Sequence, residues 1–165
     1  MPHAAEEFQL EPGLIYLNHA AVAPWPKCAA DAVARFAQEN ARSGSWHYRR
    51  WETVEQQLRE RLQRLINAAS ADDIALVKNT SEALSFVAYG LDWVPGDNVV
   101  TCAEEFPSNR WVWESLRRLG VETRFASVSV SADPEAALFE QVDERTRLMS
   151  ASAVQYANGL RMDLE

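Results

Sequence analysis

The sequence is poor in most of the features that would assign it quickly. No apolar run approaches the roughly 18 residues that a membrane-spanning helix needs, so no membrane partner is expected. Positive charge is scarce. Sixteen Lys and Arg face 24 Asp and Glu, for a formal net charge of -8, and the pI is about 4.9. That balance argues against a nucleic-acid partner, because a phosphate backbone needs a basic face. It leaves room for a local pocket holding one small phosphate. The two cysteines, Cys28 and Cys102, show neither metal nor redox spacing, and both are expected to be small buried apolar residues. The opening stretch MPHAAEEFQLEPG is acidic and lacks the basic and apolar parts of a signal peptide, so a cytoplasmic location is expected. Neither glycine-rich nucleotide loop is present. There are no repeats and no low-complexity segments.

What is present suits a globular α/β chain. The 165 residues are 47% hydrophobic and 24% charged, enough to bury the core of one ordinary domain. Trp46, Trp51, Trp93, Trp111 and Trp113 fall near proposed element ends, where core and interface packing is expected for most of them. Residues 14–26, LIYLNHAAVAPWP, are apolar and extended, and their two prolines forbid a helix. A helix is expected from Lys27 to about Arg42, with Val33, Phe36 and Ala37 on one face and SGS at 43–45 breaking it. Residues 47–67 carry the clearest helical period. Val54, Leu58, Leu62, Leu65 and Ile66 form one apolar stripe, and Glu55 and Arg59 are spaced for an ion pair.

From residue 74 the pattern alternates. IALV reads as a strand buried on both faces. A helix over 80–89 follows, with Gly90 just past its end. VPGD is a turn and NVVTC the next strand. PSNRWVWESLRRL is helical, with Pro107 near its start and Gly120 beyond its end. VETRFASV is a strand, Asp133 and Pro134 open another helix as N-cap and N1, and RLMSASAVQ is a last strand. The expected fold class is therefore α/β, a mainly parallel sheet with flanking helices and right-handed crossovers. The expected organisation is an extended arm over 1–26, a helical segment over 27–68 and an α/β layer over 69–165.

In such sheets ligands bind beyond the carboxyl ends of the strands. After the first strand come Asn79, Thr80, Ser81 and Glu82. Two readings of this turn are open. Thr80 or Ser81 caps the helix, with Glu82 favouring its dipole, or the two hydroxyls and the free N–H groups bind an anion. After the second strand come Glu104, Glu105, Phe106 and Pro107. Phe106 either stacks on a flat ligand ring or packs in the core. After the last strand, Gln155 and Asn158 offer amide hydrogen bonds, or form a turn around Gly159. Together these residues describe a phosphate anchor, a ring stacker and polar ring-edge contacts.

The segments YLNHAAVAPWP, KNTSEAL, EEFPSNRWVW and SASAVQYANGLRMDL resemble, in that order, the N-terminal half of class V aminotransferases. These are pyridoxal 5′-phosphate (PLP) enzymes of fold type I, including cysteine desulfurases and isopenicillin N epimerase-like proteins. The resemblance implies an incomplete fold type I large domain, a small amino-acid substrate and a homodimer in the full-length form. It implies that Thr80 and Ser81 hold the PLP phosphate and that Phe106 stacks on the pyridine ring, where cysteine desulfurases carry histidine. It implies that Gln155, or Tyr156 in the alternative register, bonds the ring hydroxyl. Asn18 and His19 would lie near the substrate, although His19 can equally be structural.

The resemblance also implies absences. The family's Schiff-base lysine and the aspartate at the pyridine nitrogen lie beyond the equivalent of Glu165. Only Lys27 and Lys78 are present, and neither matches that lysine. No catalytic residue and no metal ligand is assigned within the chain. It is expected to be a part of an enzyme that carries the cofactor cradle, with transamination, desulfuration, epimerisation and lyase chemistry all open. The alternative is a non-catalytic α/β binding module that kept this fold.

Overall fold

The structure is a computed structural model that describes residues 4–163. It contains two compact units, Met1–Leu76 and Val77–Glu165. Among the described residues no helix is long and apolar enough to cross a membrane.

The first unit contains helices α1 (Ala4–Glu7), α2 (Lys27–Ser43) and α3 (Tyr48–Ile66). Pro26 enters α2 from extended backbone, and Gly44, at φ 52°, ends it. Asn67 ends α3 in the left-handed region, with its N–H donated to the Gln63 carbonyl. Trp51 presents edge contacts to Phe36 and Tyr48, with ring centroids 5.1 and 5.8 Å apart. Its indole N–H donates to Glu39 at 3.2 Å, which ties α3 to α2. The expected Glu55–Arg59 pair forms at 2.9 Å. Neither helix has a buried residue, and most of the α3 stripe stays exposed: Val54, Leu58, Leu65 and Ile66.

The second unit is the α/β layer. Its elements, in order, are α4 (Thr80–Gly90), β1 (Asn98–Cys102), α5 (Ser108–Glu114), β2 (Glu122–Ala126), α6 (Pro134–Phe139) and β3 (Thr146–Ser150). The strands form one sheet in the order β2-β1-β3, and β1 is parallel to both neighbours. As the central strand, β1 is buried at every position. Successive side chains point to opposite faces, so β1 feeds two cores. Val99 packs with Ala88, Trp113, Leu116 and Val121. Val100 and Cys102 pack with Ala126, Val128, Leu138 and Met162. Helices on both faces are what a parallel sheet requires. Asp133 caps α6 as expected, its side chain accepting from the Ala136 N–H, with Pro134 next to it. At the amino end of the sheet, Asp143 accepts from Asn98 at 2.8 Å and from Arg124 at 2.7 Å. Those bonds, with the Arg145 N–H, hold its carboxyl down at about 2.

Several expectations are corrected. Residues 74–77 form no strand. They join no sheet among the described residues, and Leu76 and Val77 are exposed. A strand is completed by another chain segment's N–H and C=O groups, which a short apolar run cannot supply. Gly90 is not past the end of α4 but its last residue, and Leu91 leaves in extended backbone. Trp93 meets that helix end with an indole N–H to the Ala88 carbonyl at 2.6 Å. The last strand stops at Ser150. Residues 153–162 instead reverse direction, with Gln155 N–H on the Leu160 carbonyl at 2.8 Å and Met162 N–H on the Ala153 carbonyl at 2.9 Å. Cys28 is exposed on α2, whereas Cys102 is buried as expected. Trp113 is core, but Trp46 and Trp111 are exposed, because composition does not say which face of a helix or turn a tryptophan occupies.

Gly120 closes the helical run after α5 at φ 79°. A Cβ there would lie 3.0 Å from Pro95 Cβ and 3.1 Å from Pro95 Cα. Gly120→Ala is therefore expected to destabilise the chain by about 1–2 kcal/mol from the left-handed backbone alone, with crowding in addition. A urea midpoint equal to wild type would refute this.

Candidate functional site

The three parallel strands deliver three loops to one edge of the sheet. After β1 the chain passes through Ala103, Glu104, Glu105, Phe106 and Pro107 into α5. The two acids bind the other two loops. Glu104 accepts from the Ser129 N–H at 3.1 Å and the Val128 N–H at 3.4 Å, just after β2. Glu105 reaches the loop after β3. It accepts from the Ser152 N–H at 2.6 Å, the Ser152 hydroxyl at 2.7 Å and the Gln155 amide at 2.9 Å. Asn158 completes the stitching by donating to Ser129 Oγ at 2.7 Å and accepting from the Leu160 N–H at 3.0 Å.

Glu105 is 4% exposed and Gln155 is 1% exposed. Burial pushes the Glu105 carboxyl up. Hydrogen bonds from the Ser152 hydroxyl, the Gln155 amide, the Ser152 N–H and Asn109 outweigh it, so the group stays below its ordinary value as a carboxylate. The neighbouring Cys102 thiol moves the other way. Burial first, then the charge of Glu105, push it up to about 12, which makes it a packing residue and not a nucleophile.

Gln155 and Tyr156 part company within the reversal that Gly159, at φ 72°, allows. Gln155 turns inward onto Glu105. Its Oε1 is buried and accepts no hydrogen bond among the described residues. Tyr156 turns out and meets Phe106 edge-on, with centroids 5.1 Å apart and planes at 89°. Phe106 is 51% exposed, which leaves ring surface open.

α4 packs beside α5. The far ends of α4 and α5 meet where the Tyr89 hydroxyl lies 2.7 Å from Ser115 Oγ and Arg118 sits over the Tyr89 ring at 5.1 Å. α5 begins just after β1, at the carboxyl edge of the strands. The capping expectation is corrected here. Asn79, not Thr80 or Ser81, is the N-cap, and its Oδ1 accepts from the Glu82 N–H at 3.0 Å. Glu82 in turn accepts from the Lys78 N–H at 2.7 Å. Asn79 outcompetes the hydroxyls because it precedes the helix with extended backbone, the conformation in which a side chain reaches back to N3. Thr80 and Ser81 are thus exposed in the first turn, and their hydroxyls make no hydrogen bond among the described residues.

The structure therefore brings Phe106 and Gln155 together around Glu105, while Thr80 and Ser81 stand at the start of α4. Asn158 ties the loops to one another. Asn18 and His19 belong to the other unit. There His19 Nε2 lies 3.1 Å from the Tyr16 carbonyl, and the two rings meet edge-on at 5.2 Å. The Tyr16 hydroxyl donates to the Val22 carbonyl and closes this loop. Lys27 pairs with Asp31 on α2. Among the described residues no cluster of His, Cys, Asp or Glu could hold a metal ion. Sequence reasoning gave no role to Glu105 or to Asn79. Two consecutive acids at the end of a buried strand were the available signal for Glu105.

Residues 15–165 match the family model of class V aminotransferases. A probable cysteine desulfurase of Methanothermobacter thermautotrophicus is 35% identical over 156 residues, 92% of this chain and 39% of that protein. A cysteine desulfurase of Pectobacterium atrosepticum is 32% identical over 170 residues, 96% of this chain and 41% of that protein. Among solved structures, a lysine-to-alanine mutant of C-DES with glycine covalently linked to its PLP cofactor superposes with a TM-score of 0.83 at 23% identity. That match covers 99% of this chain and 44% of the other, and it shows a shared fold. The chain spans about two fifths of the length of these curated relatives.

Proposed function

Because the chain belongs to the class V aminotransferase family, we propose that it forms the phosphate and ring cradle of a PLP-dependent enzyme acting on a small amino acid. The observation that carries this reading is Gln155. A buried amide with an unpartnered oxygen, beside a half-exposed phenyl ring, is costly unless a ligand completes it. A flat ring bearing a hydroxyl fits that pair. In this reading Thr80 and Ser81 donate their hydroxyls to the phosphate at the positive end of α4. Phe106 stacks on the ring, and Gln155 meets the ring hydroxyl. Asn18 and His19 are assigned as substrate neighbours.

When bound, PLP supplies an electron sink for carbanion chemistry at the amino acid. The residues of this chain orient and desolvate it. Phe106 has no titratable proton, so it positions the ring without moving protons, unlike the histidine of cysteine desulfurases. Neither Lys27 nor Lys78 is assigned as the covalent partner. A homodimeric, cytoplasmic full-length form belongs to the same proposal.

Ser81→Ala tests the phosphate anchor. A hydrogen bond to a charged group contributes about 1.5–3 kcal/mol, so affinity for PLP should fall roughly tenfold to a hundredfold by fluorescence titration. The unfolding midpoint should stay unchanged, because the hydroxyl has no hydrogen-bond partner among the described residues. Equal affinity in the two proteins would remove Ser81 from the site.

A further inference from the structure

We propose that Glu105 is the positioning residue of this site, and that it decides which atom of the Gln155 amide faces the bound ring. The inference rests on the reading of Gln155 as the neighbour of the ring hydroxyl.

An ionised carboxylate is an acceptor only. Both Glu105 oxygens are already engaged by N–H and O–H donors, Oε1 by Ser152 N and Gln155 Nε2 and Oε2 by Ser152 Oγ. A Gln155 amide turned the other way would press its carbonyl oxygen against that carboxylate, so only the NH2 group can face Glu105. The oxygen is then forced to the opposite side of the amide, where it is buried and unpartnered. Two near-isosteric orientations of one side chain are thus reduced to one. The consequence for the ligand is chemical. The atom offered to it is an acceptor, and it selects a ring group that donates. A protonated ring hydroxyl meets that requirement, and a ring carrying only hydrogen at the same position does not.

The same carboxylate holds Ser152 by both its N–H and its hydroxyl, so the loop that carries Gln155 is fixed at two points, 47 and 50 residues along the chain from Glu105. Position and orientation of the amide therefore have one source.

The experiment compares two ligands on the intact chain and on two variants. Pyridoxine 5′-phosphate carries the ring hydroxyl and no aldehyde, so it binds without a lysine. Its 3-deoxy counterpart lacks only the hydroxyl. The wild-type chain is expected to prefer the first by about tenfold, the scale of one hydrogen bond. In Glu105→Gln the side chain can present either an N–H or an oxygen to Gln155, and the preference should shrink to about twofold or less. In Glu105→Asp, which remains acceptor-only, some preference should survive even where both affinities drop. A role in folding alone would weaken both ligands equally and leave the ratio intact, and that result overturns the proposal.

If Glu105→Gln does not fold, the wild-type chain still decides. The Gln155 side-chain amide protons, followed by NMR, should exchange slowly with and without ligand. Fast exchange, or a flip on binding, overturns the proposal. Failure of the wild-type chain to bind either ligand would instead remove the PLP reading on which it rests, and equal binding of both would remove the Gln155 contact.

Discussion

Trp113→Ala is expected to lower the unfolding free energy by about 3–5 kcal/mol, the range for truncating a buried aromatic side chain. Trp113 is 1% exposed and packs among Ala88, Val99, Leu116 and Val121. It therefore joins α4, α5 and the central strand at one point. Its indole N–H also donates to Asn109 Oδ1 at 3.1 Å, and that oxygen accepts a second bond from Ser150 Oγ at 2.6 Å. The truncation thus opens a cavity and loosens the α5–β3 junction beside Glu105. Small domains have roughly 5–15 kcal/mol in total, so the change removes a large share of stability. Urea titration followed by circular dichroism reads it without depending on tryptophan emission. A loss under about 1 kcal/mol, within surface-substitution territory, would show that this face of the sheet is not packed as described.

Glu105→Ala should cost on the order of 3 kcal/mol or more. It strands the buried Gln155 amide and the half-buried Ser152 N–H and hydroxyl, and a fully buried unsatisfied donor costs about 1–3 kcal/mol. The effect depends on pH with a definite sign. The folded-state pKa of Glu105 lies below the ordinary 4.5. Its contribution is therefore fully present above pH 4.5 and is lost as pH falls through the folded value. Wild-type urea midpoints should decline on acidification below 4.5, and the variant should decline less steeply there. Asp143 adds to the acid slope of both proteins. Its window, from 3.8 to about 2, is common to both, so the difference between the two curves isolates Glu105. Parallel curves across this range would contradict a stabilising carboxylate.

The parts that were legible are those encoded over a few residues. The stripe from Val54 to Ile66 predicted α3 because apolar side chains three and four apart must share a helix face. NVVTC predicted the fully buried β1, and Asp133–Pro134 predicted the start of α6, because a cap and its helix are neighbours in sequence. The turn at 79–82 was found for the same reason. Its details were not, since Asn, Thr and Ser cap with similar strength and only the backbone at Asn79 separates them. IALV failed as a strand because pairing is a property of two segments.

Local order in the sequence was thus enough for the parallel α/β class and for the limits of α2, α3 and α4 to within a residue. Those signals act over one turn of helix or one pleat of strand. The partnership of Glu105 with Ser152 and Gln155 joins residues 47 and 50 positions apart, and no periodicity or cap rule reaches that far. It exists because parallel strands deliver successive loops to one edge, where a buried carboxylate must find donors or pay the full cost of desolvation. That is why the inward turn of Gln155, the outward turn of Tyr156 and the freedom of the Thr80 and Ser81 hydroxyls emerged only once the chain was folded.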